Sequence, residues 1–369
     1  MSSKLNQNGS SKLPITRDKK KSKKLVFSRK MLKRLFPCRS LTRFHHCTAI
    51  PLDNRALIQV HGADSTKYLQ GLITNDIEFL QTTNAIYSML LNARGRILYD
   101  MIIYNDHLNK SAYLIEISHN AVTDFIRLLR SYKLRKQVNI EDVTKNYRVW
   151  SIISSEKQFS STSNDLRDSL NFKTRKGLII GQSDPRHASL GVRLLTERQT
   201  SINDLTDICQ LSDNISFYKQ WLYRHGIAEG IEDIPPGECI PLEYNIVFLN
   251  GVSFNKGCYI GQELVARTHH TGVIRKRLMP VRIENYEELS KSFDQKANDL
   301  TIINEETKRR SGKLRTSIQQ DGIALIRLNE WKTPLRIQNA DVRIKPFIPN
   351  WWPPLDEATK LEMKIDQGS

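Results

Sequence analysis

Residues 251–277, GVSFNKGCYIGQELVARTHHTGVIRKR, hold the densest chemistry in the chain. The first four have strand character. Tyr259, Ile260, Leu264 and Val265 then recur at helical spacing, which predicts a helix with Cys258 at or near its start. There, backbone N–H groups and the positive end of the helix dipole stabilise a thiolate, and Lys256, Arg267, His269 or His270 would add to the effect. A thiolate is both a nucleophile and a soft metal ligand. Gly257 and Gly261, on either side of the cysteine, let another backbone or a cofactor approach closely. Free cysteine is also among the most buried residue types, so spacing alone fits an inert core thiol equally well.

Working outward, the remaining cysteines stand at 38, 47, 209 and 239. The first two fall in a basic N-terminal stretch, and the spacing of the others forms no C-x-x-C or C-x-x-H pair and no disulfide framework. Cys209 and Cys239 are assigned to packing, and a reducing compartment is expected. What is left is one functional thiol, acting alone or with ligands from a partner.

After the 251–277 stretch, VIRKRLMPVRIE (273–284), GKLRTSI, GIALIRL and LRIQNADVRI are short strands set off by turns, which predicts a small C-terminal barrel or sandwich. Before it, RALIQVHG predicts a strand, and Asp64 or Ser65 an N-cap for a helix through TKYLQGL. IYSMLLNARGRILYDMIIY (86–104) reads as a hairpin with Gly95 in its turn, SAYLIEI (111–117) as a third strand, and YRVWSII (147–153) as another. Between these last two, Val122, Phe125, Ile126 and Leu129 give residues 119–136 one buried helical face. Residues 154–169 are polar and Ser-rich and read as a surface loop. Trp351 and Trp352, beside proline, read as cover for a core edge.

The chain has 369 residues, 39% hydrophobic and 26% charged, an ordinary globular composition with room for two or three domains. No apolar run approaches the roughly 18 residues of a membrane span. The net charge of +17 is lopsided: residues 1–50 hold 14 Lys or Arg and one acid, Asp18, which leaves +4 on the other 319 residues. A near-neutral body argues against DNA or RNA as partner, since counterion release needs cations on a folded face. From Met31, MLKRLFPCRSLTRFHHC is basic, acid-free and amphipathic, as mitochondrial import leaders are, with initiation at Met31 as an alternative to Met1. KKKSKK (19–24) also fits a nuclear signal or a basic tail.

The octet Lys256-Gly257-Cys258-Tyr259-Ile260-Gly261-Gln262-Glu263 resembles the K-G-C-[FY]-x-G-Q-E signature of the YgfZ-type branch of the folate-binding aminomethyltransferase (glycine cleavage T-protein) superfamily. Arg267 and the following THHTGVIRKR strengthen the match, and QGLITNDI, RGRILYDMIIY, SDPRHASLGVRLL, IAEGIEDIPPGECIPLE and Trp351-Trp352-Pro353 extend it from about residue 50 to 352. Within that branch the sequence is similar to mitochondrial iron–sulfur cluster assembly factors, which partner A-type iron–sulfur carriers. The resemblance implies an α+β fold: a T-protein-like body of two α/β portions around a central funnel, plus a C-terminal β-barrel. On this chain that divides into a disordered mitochondrial leader at 1–49, the body at 50–270, the barrel at 271–355 and a tail at 356–369.

The resemblance further implies tetrahydrofolate as a ligand, with Glu243 in the position of the superfamily's pterin-facing acid. It also implies a role for Asp100, which stands with Tyr99 where the transferases carry two adjacent aspartates. Asn75, followed by Asp76, caps a helix or lines the funnel. Two functions follow. The first is a mitochondrial matrix assembly factor, non-catalytic, that acts with an A-type carrier in maturing client [4Fe-4S] enzymes. Its Cys258 would bind a [2Fe-2S] or [4Fe-4S] cluster shared transiently with the partner, because one chain lacks a full cysteine set. The alternative is a folate-dependent aminomethyltransferase-type one-carbon transferase using Asp100 as acid or base, a reading weakened by the missing second aspartate.

Overall fold

The computed structural model describes residues 47–106, 112–154, 176–205, 209–272, 274–292 and 300–354. Of the expected leader at 1–49, residues 1–46 lie outside the described residues, whereas Cys47 to Ala49 belong to a strand; the Ser-rich loop beyond Ser154 and the expected tail at 356–369 also lie outside them.

Two five-stranded sheets and a closed barrel make up the body. The first sheet has the order β3-β4-β5-β2-β6, formed by β2 (Arg55–His61), β3 (Ala85–Leu91), β4 (Ile97–Asn105), β5 (Ala112–Ser118) and β6 (Asn139–Asp142). The second has the order β10-β1-β7-β9-β8, formed by β1 (Cys47–Pro51), β7 (Tyr147–Ser154), β8 (Leu178–Ser183), β9 (Val192–Glu197) and β10 (Cys209–Leu211). From Cys47 the described chain therefore begins in the second sheet, builds the whole of the first, and returns.

Every residue of β3 and β5 is buried, because both faces of that sheet are covered. One face packs Ile58, Val60, Ile103 and Ile115 against Phe125 and Leu129 of the helix Val122–Lys133. These two residues lie four apart on one helical face, and burying each fully contributes roughly 1.5–3 kcal/mol. The opposite face packs Leu57, Met89, Ile102 and Leu114 into a cluster shared with Val149, Ile153 and Leu195 of the second sheet and Leu278 and Ile323 of the barrel. The site-bearing loops are fastened around this shared core.

The barrel runs β11-β14-β13-β12-β15-β16, from β11 (Lys276–Ile283) through β12 (Leu300–Asn304), β13 (Arg310–Ile318), β14 (Asp321–Arg327) and β15 (Leu335–Ile337) to β16 (Arg343–Pro346). Closure leaves it no free edge. Trp352 is buried against its core beside Phe248.

Three expectations are corrected. Residues 251–254 form no strand: the Ser253 N–H donates to the Thr74 carbonyl at 3.1 Å and the Thr74 hydroxyl to the Gly251 carbonyl at 2.7 Å, so this segment is stitched to a loop and not to a ladder. The helix of the 251–277 stretch starts only at Gln262, because Gly261 takes a left-handed φ of 79° at the N-cap and excludes Tyr259 and Ile260. Cys209 is not simply packed. It forms a disulfide with Cys47, which belongs to β1, where adjacent parallel strands bring the two Cα atoms to 4.8 Å.

Candidate functional site

Cys258 is exposed, in the loop that precedes the helix Gln262–Thr271. Tyr259, Ile260 and Gly261 separate it from that helix, and the helix dipole falls off within one turn. What orients the sulfur is Gln262. Its side-chain oxygen accepts from the Tyr259 N–H at 2.9 Å, and its Nε2 donates to Cys258 Sγ at 3.7 Å. One amide thus ties the loop to the helix and points a donor at the thiol.

Lys256 braces the same loop from below. Its Nζ donates to the carbonyls of Gln70 at 2.8 Å, Ile73 at 2.7 Å and Asn75 at 2.7 Å, and it lies 5.1 Å from the Tyr259 ring centroid. All three ammonium donors are used, so Lys256 holds the 70–75 loop where the sequence had it assisting the sulfur. Burial lowers its pKa to about 8, against a smaller opposing effect of Asp76. Gly95, in the β3–β4 turn, has a φ of 74°, and a Cβ there would lie 2.5 Å from the Leu264 Cβ. A Cβ on Gly261 would collide with the Asn92 carbonyl. These two glycines let hairpin turn and helix start close on one another, whereas a Cβ on Gly257 would meet nothing within 4 Å. Glu263, Arg267 and His270 are exposed on the helix, while His269 is buried and stacks on Phe254 at 3.7 Å.

The three residues assigned to folate face different surroundings. Asn75 is buried and bridges the Tyr87 and Asn250 carbonyls through Nδ2, at 2.8 Å each, on the wall of a cleft of about 640 Å3. Its neighbour Asp76 accepts from the Glu78 N–H and caps the short turn Ile77–Gln81. Glu243 lines a separate cleft of about 620 Å3 with Arg275, Lys276, Arg327, Leu328 and Asn329. Burial raises its pKa, against Lys276, Arg96 and Arg315. Asp100 lines neither cleft.

Asp100 is instead sealed in a buried ion network between the two sheets. It accepts from the Gly230 N–H at 3.0 Å and lies 3.9 Å from Arg55. Burial raises its pKa and outweighs Arg55. Arg55 pairs with Glu116 at 2.9 Å, and Arg193 reaches Glu116 at 3.3 Å and Glu229 at 3.1 Å. Arg186 joins Glu229 at 2.7 Å and Asp184 at 2.8 Å, and the Tyr218 hydroxyl donates to Glu229 at 2.7 Å. Burial works to raise the Glu229 carboxyl, but Arg55, Arg186, Arg193 and Lys219 hold it well below the usual range. A charge buried this deeply persists only when paired in this way.

Residues 45–158 match the GCVT N-terminal domain family, and residues 275–354 match the CAF17 C-terminal beta-barrel domain family. The chain is 38% identical over 320 residues to a Mus musculus protein named iron-sulfur cluster assembly factor IBA57, mitochondrial, covering 83% of this chain and 86% of that protein. The chain belongs to the IBA57 family. The Homo sapiens IBA57 is 36% identical over 322 residues, covering 82% of this chain and 84% of that protein. The fold is shared with the glycine cleavage system aminomethyltransferase T of Bartonella henselae, with a TM-score of 0.59 at 13% identity over 84% of this chain and 86% of that one. In this IBA57-family chain the network residues Arg186, Arg193 and Glu229 went unassigned at the sequence level, although they lie in the SDPRHASLGVRLL and IAEGIED segments. Arg193 and Glu229 had one legible signal, a charge among apolar neighbours, whereas Arg186 in Ser183-Asp-Pro-Arg-His had none.

Proposed function

We propose that this chain is a mitochondrial matrix assembly factor that acts with an A-type carrier in maturing [4Fe-4S] proteins, with Cys258 as its thiolate ligand to cluster iron. The observation that carries this reading is the exposed sulfur of Cys258 on a loop braced by Lys256 and Gln262. A thiol held on a rigid frame can meet a metal whose other ligands arrive on a second protein. Among the described residues no three His, Cys, Asp or Glu side chains come together to hold a metal. In this reading the cluster is cargo shared across an interface, and Cys258 supplies one sulfur to it as the thiol proton leaves to solvent. The names of the IBA57 relatives support both the assembly role and the mitochondrial location.

Tetrahydrofolate is tested by the same geometry. Among the clefts lined by described residues, Asn75 and Glu243 line different ones, and Asp100 lines neither and is paired inside the protein. Asp100, held by the Gly230 N–H and beside Arg55, does not fit a contact with the ligand, and no transfer step is derived through it. Lys256, Gly257, Tyr259, Gly261, Gln262, Glu263 and Arg267 act as the frame and rim of the thiol loop.

The test is anaerobic cluster reconstitution with an A-type carrier, followed by visible absorption and gel filtration. A coloured heteromeric complex should form with wild type and be lost in Cys258→Ser. An equally coloured and stable complex in the mutant would contradict the proposal.

A further inference from the structure

We propose that the basic rim of the Glu243 cleft is the electrostatic part of the docking surface for the partner that shares the cluster at Cys258, and that this partner presents acidic side chains to it. This rests on the reading of Cys258 as a shared ligand. The register of β11 and β14 sets Lys276 directly opposite Arg327, and like charges directly opposite destabilise an antiparallel pair. Arg275 stands beside Lys276, and all three cations line the cleft of about 620 Å3. None of the three has a salt-bridge partner among the described residues. Acids nearby are Glu243, which shares the cleft, Glu238, which lies 4.0 Å from Arg315, and Glu330, whose N–H donates to the Arg327 carbonyl at 2.9 Å and whose carboxylate accepts from Asn304. Outside residues 1–50 the chain carries only +4, so such a concentration is not general to its surface.

The rim connects to the thiol loop. Arg94 and Arg96 flank Gly95, whose turn packs on Leu264 and Gly261 at the start of the helix after Cys258, and Arg96 acts on Glu243 together with Lys276. Arg94, Arg275 and Arg327 are exposed. Cations spread over a hairpin tip and two barrel strands match several carboxylates on a protein surface better than one small anion. An acidic partner would both relieve the Lys276–Arg327 repulsion and be steered toward Cys258 before the cluster is shared.

The experiment measures binding of the full chain to an A-type carrier at about 50 and about 300 mM KCl, where screening lengths differ by more than twofold. The variants are Arg275→Glu with Arg327→Glu, the same pair to Ala, and Cys258→Ser. Charge reversal should weaken binding at low salt by about tenfold or more, mainly through slower association, and flatten the salt dependence, with the Ala pair intermediate. Buried Cys239 should stay protected from alkylation in the free variants, which shows an intact fold. Folded variants that bind with wild-type affinity and salt dependence would overturn the inference. So would inorganic phosphate protecting the cleft while reversal leaves carrier binding unaltered, since that marks a small-anion site. If the charge effect is absent while Cys258→Ser still abolishes the shared cluster, only this inference falls. If Cys258→Ser has no effect on the shared cluster, the functional reading itself falls.

Discussion

The ion network between the sheets and the loop of Cys258 treat chemically reactive groups in opposite ways. In the network, Arg55, Arg186 and Arg193 are each matched by Asp184, Glu116 or Glu229 in the interior, and Tyr104 and Tyr218 add hydroxyl donors to Glu116 and Glu229. At the loop, the thiol faces solvent with a single long contact from Gln262, while the residues around it are the ones held fast. Paired and buried charges hold a fold together. An exposed sulfur on a braced frame is free to react. The contrast supports the proposed chemistry at Cys258 and sets Asp100 within the structural network.

The comparison breaks first if the network proves dispensable. Glu229→Gln removes the acid common to Arg186, Arg193 and Tyr218, and it should cost about 3–5 kcal/mol and lower Tm by roughly 10 °C in thermal unfolding. The pH dependence follows from the same residues. Glu229 and Asp184 are held below their ordinary values of 4.5 and 3.8, so below those values the unfolded chain binds protons that the native chain refuses. Stability is then present above about pH 4.5 and lost as pH falls further, a limb that Glu229→Gln should flatten.

A smaller effect is expected at the edge of the second sheet. Cys47→Ser cuts the link between residues 162 apart and should cost about 2–4 kcal/mol, seen as a lower denaturation midpoint. Lys256→Met strands three carbonyls and should cost about 2 kcal/mol. It should also make the Cys258 loop more susceptible to proteolysis. Gly257→Ala has open space and should change stability by less than about 0.5 kcal/mol. A loss of cluster sharing in that variant would mean that a partner's backbone comes close to Gly257.

Local rules recovered most of the frame. The hairpin around Gly95, the helix Val122–Lys133 and the barrel strands follow from apolar period and turn residues, which are properties of neighbours in sequence. Cys258 was legible through its motif. The late helix start was missed because the apolar spacing of Tyr259 and Ile260 competes with a left-handed Gly261, which a period cannot see. The Cys47–Cys209 bond and the network were missed for a different reason. Both join segments far apart in sequence, brought together only when the chain returns to its second sheet. The same holds for Lys276 opposite Arg327, whose register only the closed barrel sets.

The most direct measurement is the rate of Cys258 alkylation, read by mass spectrometry in the free chain and in the anaerobic complex with an A-type carrier and cluster. Cys258 should label rapidly in the free chain while buried Cys239 is spared, and labelling should be suppressed when the cluster is shared and restored when iron is chelated. Equal labelling of Cys258 in the free chain and in a cluster-bearing complex would contradict its assignment as the iron ligand.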